Sequence, residues 1–442
     1  MRIPLAEVAG VLHASVVGEV GSGLVADGVS YDSRQVAPGN LFVAIIAQRD
    51  GHDFVLDAVE AGAAAVLVSR EVSGCYIPQL VVADTAVALT ALGKWARGHV
   101  QSTVENRVIG ITGSVGKTST KDFIASVLGA QFVVGASEKS LNNDQGVPVT
   151  LLNAPDMVQA LVVEMGMRGF GEIARLAALA QPHIGVITAV GESHSERVGG
   201  VEGVARAKAE LVESLPAGGF AVLNADDVRV MAMRSKTRAT AFTYGFATDA
   251  DVRISDLAIN GHGCASFRIT AQWGDGHCNL AVPGKHMASN AAAAVLVGAL
   301  CGVSIADALR AVELTEMSPM RMQVHALVNG VLLDDSYNAS PTSMSAALQT
   351  LSSMAADHRV AVLGVMAEIS DTEAQHKNIA QLAQDLGIEV IAFRTELYGL
   401  PSYETYIEVC ELLRKCSANT AILLKGSRVA GLEAVSELLL RN

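Results

Sequence analysis

The sequence predicts an α/β protein of three domains: a small N-terminal α/β domain, a central parallel-sheet domain of the P-loop ATPase type and a C-terminal Rossmann-like domain. Three observations carry this. From Val108 onward strand-like runs alternate with helix-like segments, the pattern of a parallel sheet covered by helices. A second alternating series begins near Val331, and the residues before Gln101 form short strands separated by glycine turns. At 442 residues, half of them hydrophobic and 17% charged, the chain is long enough for several cores and too apolar for extensive disorder.

The N-terminal series is VADGVSYDSRQVAPGNLFVAII (Val25 to Ile46) and AAAVLV (Ala63 to Val68). The central strands are VIGIT, ALVVEM, IGVITAV and FAVLNA. The C-terminal ones are VLLDD, VAVLG, VIAF and AILLKG. The expected domains cover 1–85, 86–317 and 318–442, with joints near 85–100 and 315–322. The apolar run Ala291 to Val303 is too short to span a bilayer and reads as a buried helix.

The chain's charge narrows its partners. A formal net charge of -13 argues against a nucleic-acid groove, which carries a basic face. Six cysteines without a CxxC pair suggest reduced thiols, and the N-terminus lacks the uninterrupted apolar core of a signal peptide. A cytoplasmic protein without membrane insertion, acting as a monomer, is expected.

The chemistry concentrates at strand ends. In TGSVGKTS, the residues Thr112, Gly113, Ser114, Val115, Gly116, Lys117, Thr118 and Ser119 link the first central strand to a helix. Such a loop turns backbone N–H groups onto phosphate oxygens, with Lys117 as the cation and Thr118 able to place a hydroxyl on Mg²⁺. Ile111 stands where the usual loop has its first glycine, so Gly113 supplies the turn. This predicts a nucleoside triphosphate site.

Ligands of open parallel sheets sit beyond the carboxyl ends of the strands. Glu164 and His194 are delivered there, an acid and an imidazole suited to Mg²⁺. Lys208 shares an apolar helical stripe with Val204, Leu211 and Leu215. Snorkelling is the ordinary fate of such a lysine; facing the phosphate site instead, and modified to a carbamate, it would supply an anionic ligand. Asn290 starts a helix, Arg321 lies at the second joint, and Asp334 and Asp335 end a strand in DDSYNASP.

Together these strings resemble the Mur ligases, the ATP-dependent amide-forming enzymes of peptidoglycan synthesis. The resemblance runs through all three regions: YDSRQVAPGNLFVA, RDGHDF, GITGSVGKTSTK, SLNNDQGVPVTLL, EMGMRGFGEI, ESHSE, DDSYNASPTSM and LKGSR. SLNNDQGVP and DSYNASP point to the branch that adds D-alanyl-D-alanine to UDP-N-acetylmuramoyl-tripeptide.

The resemblance implies that the first domain holds the UDP end, through Ser33 and Arg34 with Asp50, Gly51 and His52. Asn142 and Asn143 would meet the substrate. Lys117 would contact the transferred phosphate of ATP, with Thr118 and Glu164 on one Mg²⁺ and His194 and carbamylated Lys208 on a second. Lys117, Lys208 and His194 are thereby the implied catalytic residues. Asn290 would read adenine, Arg321 a phosphate or the ribose, and Asp335 the ribose hydroxyls. The chain departs from the family at Met287, often asparagine, and at Pro319 and Met320, where glycine is common. Other readings are an amide ligase adding a diamino acid or glutamate, or a regulatory nucleotide-binding ATPase.

Overall fold

The structure, a computed structural model, describes all residues except Ser22, Lys139, Ser140, Ser193, His194 and Asn442, and of Ser195 only the backbone. It contains three large sheets in chain order, each covered by helices, as the sequence predicts, and a two-stranded antiparallel sheet of Arg2–Pro4 and Val25–Asp27.

The first sheet has five strands, in the spatial order Ser15–Val17, Gln79–Val81, Ala65–Val68, Leu41–Val43 and Val29–Ser30. Apart from the antiparallel outer strand Ser15–Val17 its pairs are parallel. Helix Thr85–His99 then leads to the central region, with Asp84 capping its first turn through Ala86 N and Val87 N. Asn153 of the central region fastens the two together: its amide accepts from Val29 N at 2.7 Å and donates to Val29 O at 3.0 Å, as a neighbouring strand would.

The central sheet has nine strands. Val108–Thr112 lies between Ala160–Glu164 and Ile184–Ile187, parallel to both. The chain builds outward from Val108–Thr112 on one side and then crosses to the other. The switch point of the sheet therefore falls between Val108–Thr112 and Ile184–Ile187, where a ligand crevice is expected. Beyond Phe220–Asn224 come four strands that the sequence reading does not reach: Thr240–Gly245, Val252–Ile259, Cys264–Ala271 and Gly274–Pro283. The last two turn the edge antiparallel. The edge strand Val134–Ala136 was also not foreseen.

The apolar run after Lys285 is a helix, Lys285–Leu300, with Ala291 to Val297 fully buried. A helix apolar on all sides belongs inside a core. Its alanines let it lie close against the phosphate-loop helix Lys117–Gly129, within one continuous core. At Gly298 a Cβ would come within 2.4 Å of Val127 Cγ1.

The C-terminal sheet has six strands in the order Gln323–Leu327, Gly330–Asp334, Thr420–Lys425, His358–Leu363, Glu389–Phe393 and Ser402–Tyr403. It is parallel except for its first pair. The helix after DDSYNAS begins at Pro341 with a capping box between Ser340 and Ser343. Among the described residues no helix is long and apolar enough to cross a membrane.

The close approach at Gly298 is testable. Gly298→Val should overpack the seam between the two helices and cost about 1–3 kcal/mol in urea unfolding; unchanged stability would mean the seam is loose.

Candidate functional site

The site assembles at the carboxyl ends of the central strands. The loop from Gly113 to Gly116 leaves the strand, and the helix begins at Lys117. Its glycines are dictated by crowding. A Cβ on Gly113 would lie 1.8 Å from Thr188 Oγ1, and one on Gly116, whose φ is +81°, would lie 2.8 Å from Asn290 Oδ1. Thr188 donates to Val115 O at 2.6 Å, and Ser114 Oγ donates to Gly191 O at 2.8 Å. The loop is thus held from its neighbour strand, on the other side of the switch point. Thr188 is a residue the sequence reading missed; its signal was a hydroxyl at a strand end, matching Thr112 next door.

Lys117 Nζ rests on Gly113 O at 2.7 Å. Burial lowers its pKa, with Arg321 adding to the effect and Glu164 opposing it. Thr112 Oγ1 is buried beneath the loop without a hydrogen-bond partner. An orphaned hydroxyl, a lysine curled onto its own loop and glycines that bring the backbone close together fit a phosphate chain.

Glu164 is 1% exposed at the end of its strand. Its carboxylate accepts from Thr118 Oγ1 at 2.9 Å and from Asn142 Nδ2 at 2.8 Å. Carboxylate and hydroxyl are hard oxygen donors and sit together. Among the described residues no cluster of three or more His, Cys, Asp or Glu is placed to hold a metal. One carboxylate and one hydroxyl nevertheless suit Mg²⁺, which keeps water and substrate phosphate for the rest of its shell. His194, expected on a second ion, lies outside the described residues.

Lys208 does not snorkel. It is 3% exposed in helix Val201–Glu213, on the same face as fully buried Val204 and Leu211. Burial lowers its pKa well below the ordinary lysine value, and the charge of Lys117 lowers it further. Among the described residues its amine has no hydrogen-bond partner, so a neutral, nucleophilic amine is favoured.

The C-terminal region closes over this floor. Arg321 donates from Nη2 to Thr118 Oγ1 at 3.3 Å and stacks its guanidinium 4.2 Å above the Tyr337 ring. The flanking Met320 and Met322 have φ of +59° and +52°. This left-handed backbone is what glycine would adopt freely and methionine adopts with strain. Asp335 is buried, ion-paired to Lys425, and accepts from Met322 N at 3.3 Å. The hinge is also tied through Asp122, which accepts from Ser318 N at 2.8 Å and pairs with Lys121 at the same distance.

Asn290 is buried against Gly116, its amide directed to Met287 Sδ at 3.6 Å. It therefore borders the loop itself. Asn143, exposed, caps helix Gly146–Leu152 by accepting from Gly146 N at 2.8 Å. Only Asn142 of that pair reaches Glu164.

In the N-terminal domain, Ser33 and Arg34 lie in the one-turn helix Ser33–Gln35, and Arg34 binds Asp32 with two hydrogen bonds, at 2.9 and 2.7 Å. Asp50 holds His52 Nδ1 at 2.6 Å and Arg70 at 2.8 Å, while His52 Nε2 accepts from Ser69 N at 2.9 Å. Both imidazole nitrogens are thus engaged within the loop. A Cβ on Gly51 would meet Ile45 backbone at 2.7 Å, so this string builds the loop's shape. Tyr31, which the sequence reading did not single out, has its pKa raised by burial and then by Asp32 and Tyr337.

Comparison with known proteins follows the same division. Three family descriptions match in succession: "Mur ligase family, catalytic domain" at residues 26–93, "Mur ligase middle domain" at 111–298 and "Mur ligase, glutamate ligase domain" at 320–428. The chain is 32% identical to the UDP-N-acetylmuramoyl-tripeptide–D-alanyl-D-alanine ligase of Escherichia coli (strain K12), over 100% of this chain and 99% of the relative. It is 35% identical to that of Bacillus subtilis (strain 168), over 93% and 92%. A crystal structure of MurF from Acinetobacter baumannii superposes with a TM-score of 0.85 at 28% identity, over 100% and 99%.

The two lysines make a prediction. Replacing Lys208 by Met removes a buried amine that Lys117 repels, so the ligand-free variant should be more stable by about 1–3 kcal/mol while losing turnover. A fall in melting temperature with normal turnover would remove Lys208 from the site.

Proposed function

We propose that this chain, which belongs to the Mur ligase family, joins D-alanyl-D-alanine to the terminal carboxylate of UDP-N-acetylmuramoyl-tripeptide at the expense of ATP. The observation that carries the reaction is the pairing of Lys117 and Lys208 beside a single acid, Glu164, at the carboxyl end of a parallel sheet. The choice of substrates rests on similarity to ligases of that name along the whole chain.

The physical problem is charge. A carboxylate must approach the terminal phosphate of ATP, and two unit negative charges ~4 Å apart repel by about 4 kcal/mol at an effective dielectric of about 20. Lys117 leaves Gly113 O for phosphate oxygen, and the N–H groups from Gly113 to Ser119 take the chain of phosphates. Arg321, already on Thr118, brings a further cation from the C-terminal domain. The products of this step are an acyl phosphate and ADP; the dipeptide amine then attacks the acyl carbon, expelling phosphate and giving up a proton as the amide forms.

Thr118 and Glu164 would hold one Mg²⁺, and His194 with Lys208 a second. When bound, Mg²⁺ supplies charge neutralisation at phosphate oxygen. In this reading Lys208 is carbamylated: its depressed pKa favours the neutral amine, which adds carbon dioxide and releases one proton to become an anionic carbamate ligand. Asn142 orients Glu164, Asn290 lies toward the base, and Asp335 toward the ribose. Ser33, Arg34 and the loop shaped by Asp50, Gly51 and His52 form the UDP end, the role of residues 1–85. Residues 86–317 bind ATP, and 318–442 close over both.

Phosphate release should require ATP, Mg²⁺, the nucleotide tripeptide and D-alanyl-D-alanine together, and Lys117→Ala should abolish it with the fold intact. Release without the dipeptide would point to an ATPase, and release with a diamino acid or glutamate instead would move the chain to another branch of the family. Lys208→Ala should be partly rescued by small carboxylic acids, which restore the missing carboxylate; full activity without them would exclude the carbamate.

A further inference from the structure

A second cleft opens at the opposite, amino-terminal edge of the central sheet. Its volume is about 470 Å³, and Arg97, Gln101, Asn106, Gln181, His183 and Arg238 line it. Three of these immediately precede sheet strands: Asn106 the strand Val108–Thr112, His183 the strand Ile184–Ile187 and Arg238 the strand Thr240–Gly245. Arg97 comes from the helix that links the first sheet to the second. The cleft is therefore separated from the phosphate loop by the length of the strands and uses none of its residues.

Arg97 is the unusual group. It is 5% exposed. Its Nε donates to Ala180 O at 2.8 Å, but its buried Nη1 has no partner. Burial lowers its pKa, and among the described residues it makes no ion pair. Ala180 ends helix Glu172–Ala180, so the negative end of a helix dipole gives the guanidinium partial compensation. A guanidinium so placed still lacks a counter-charge, and a buried charge without one is costly. Arg238, on the exposed rim, uses Nε on Leu215 O at 3.2 Å and makes no ion pair among the described residues. The acid lining the cleft, Glu105, is paired with Arg107 at 3.2 Å. The remaining polar walls are neutral amides and an imidazole.

We propose that this cleft is a binding site for a small anionic metabolite, taken by its carboxylate or phosphate group through Arg97 and Arg238. Its size is that of a small-molecule pocket. Guanidinium forks recognise both oxyanions, and the amides of Gln101, Asn106 and Gln181 provide for neutral polar groups on the rest of the ligand. An occupant fastens the linker helix to the loops that start the central strands.

The probes are inorganic phosphate and citrate, titrated calorimetrically into the full chain with the phosphate loop filled by a non-hydrolysable ATP analogue and Mg²⁺. The expected result is one-to-one binding of at least one probe, and which one binds identifies the oxyanion class. Arg238→Gln, at the exposed rim, should weaken that binding about tenfold, the loss of one charge-assisted contact. Arg97→Gln should abolish it, and Arg97→Lys should restore part of it. No binding of either probe at millimolar concentration would overturn the proposal and leave the cleft to water. Binding unchanged in Arg238→Gln and in Arg97→Gln would overturn it as well, by placing the anion elsewhere.

Discussion

The site is governed by the cost of enclosing basic groups in protein. Lys117 lies near Glu164 and Arg321, Lys208 lies near Lys117, and burial depresses the pKa of both lysines. Such a cluster is unfavourable when empty and becomes favourable when phosphate enters, so affinity is stored as strain in the empty protein. The surrounding architecture follows from holding these groups still. Glu164 is fixed by Thr118 and Asn142, the loop is braced by Thr188 and Ser114, and the phosphate-loop helix is backed by the buried alanine helix.

The same constraint explains why more than one region is needed. A parallel sheet offers strand ends and a helix N-terminus, but its floor alone cannot exclude water. Arg321 and Tyr337 come from the C-terminal region, with the Arg321 guanidinium stacked on the Tyr337 ring. The hinge that allows this is locally strained, with Met320 and Met322 in left-handed conformations on either side of Arg321. Strain of about 1–3 kcal/mol at such a residue persists only where surrounding contacts enforce it. Here they do: Gln323 holds Met320 N, and Asp335 holds Met322 N.

Much of this was legible in the sequence, because strongly apolar parallel strands and a glycine loop are local signals. VIGIT, ALVVEM and AILLKG are buried throughout in the structure and read as uninterrupted runs. The strands from Thr240 to Pro283 were not read from the sequence: Val252–Ile259 and Gly274–Pro283 carry exposed residues along much of their length, so their apolar pattern is weak even though Asn260-Gly261 marks the turn between two of them. Lys208 was legible as an anomaly, since a lysine in an apolar stripe is visible from spacing. Asn153 and Thr188 were not, because each acts through a partner, 124 and 73 residues away respectively, that only the fold makes a neighbour. The DGH string is visible in the sequence, but its partners are not: Asp50 and His52 bond to each other and to Arg70 and Ser69, beyond the next strand.

Burial lowers the pKa of Lys117, and the proposed phosphate would oppose that shift. Calorimetric titration of a non-hydrolysable ATP analogue at alkaline pH, in buffers of different ionisation enthalpy, tests it most directly. Phosphate should raise the depressed pKa of Lys117, so binding should take up protons, and Lys117→Met should lose that uptake along with most of the affinity. Binding without proton uptake, or uptake undiminished in Lys117→Met, would contradict the account.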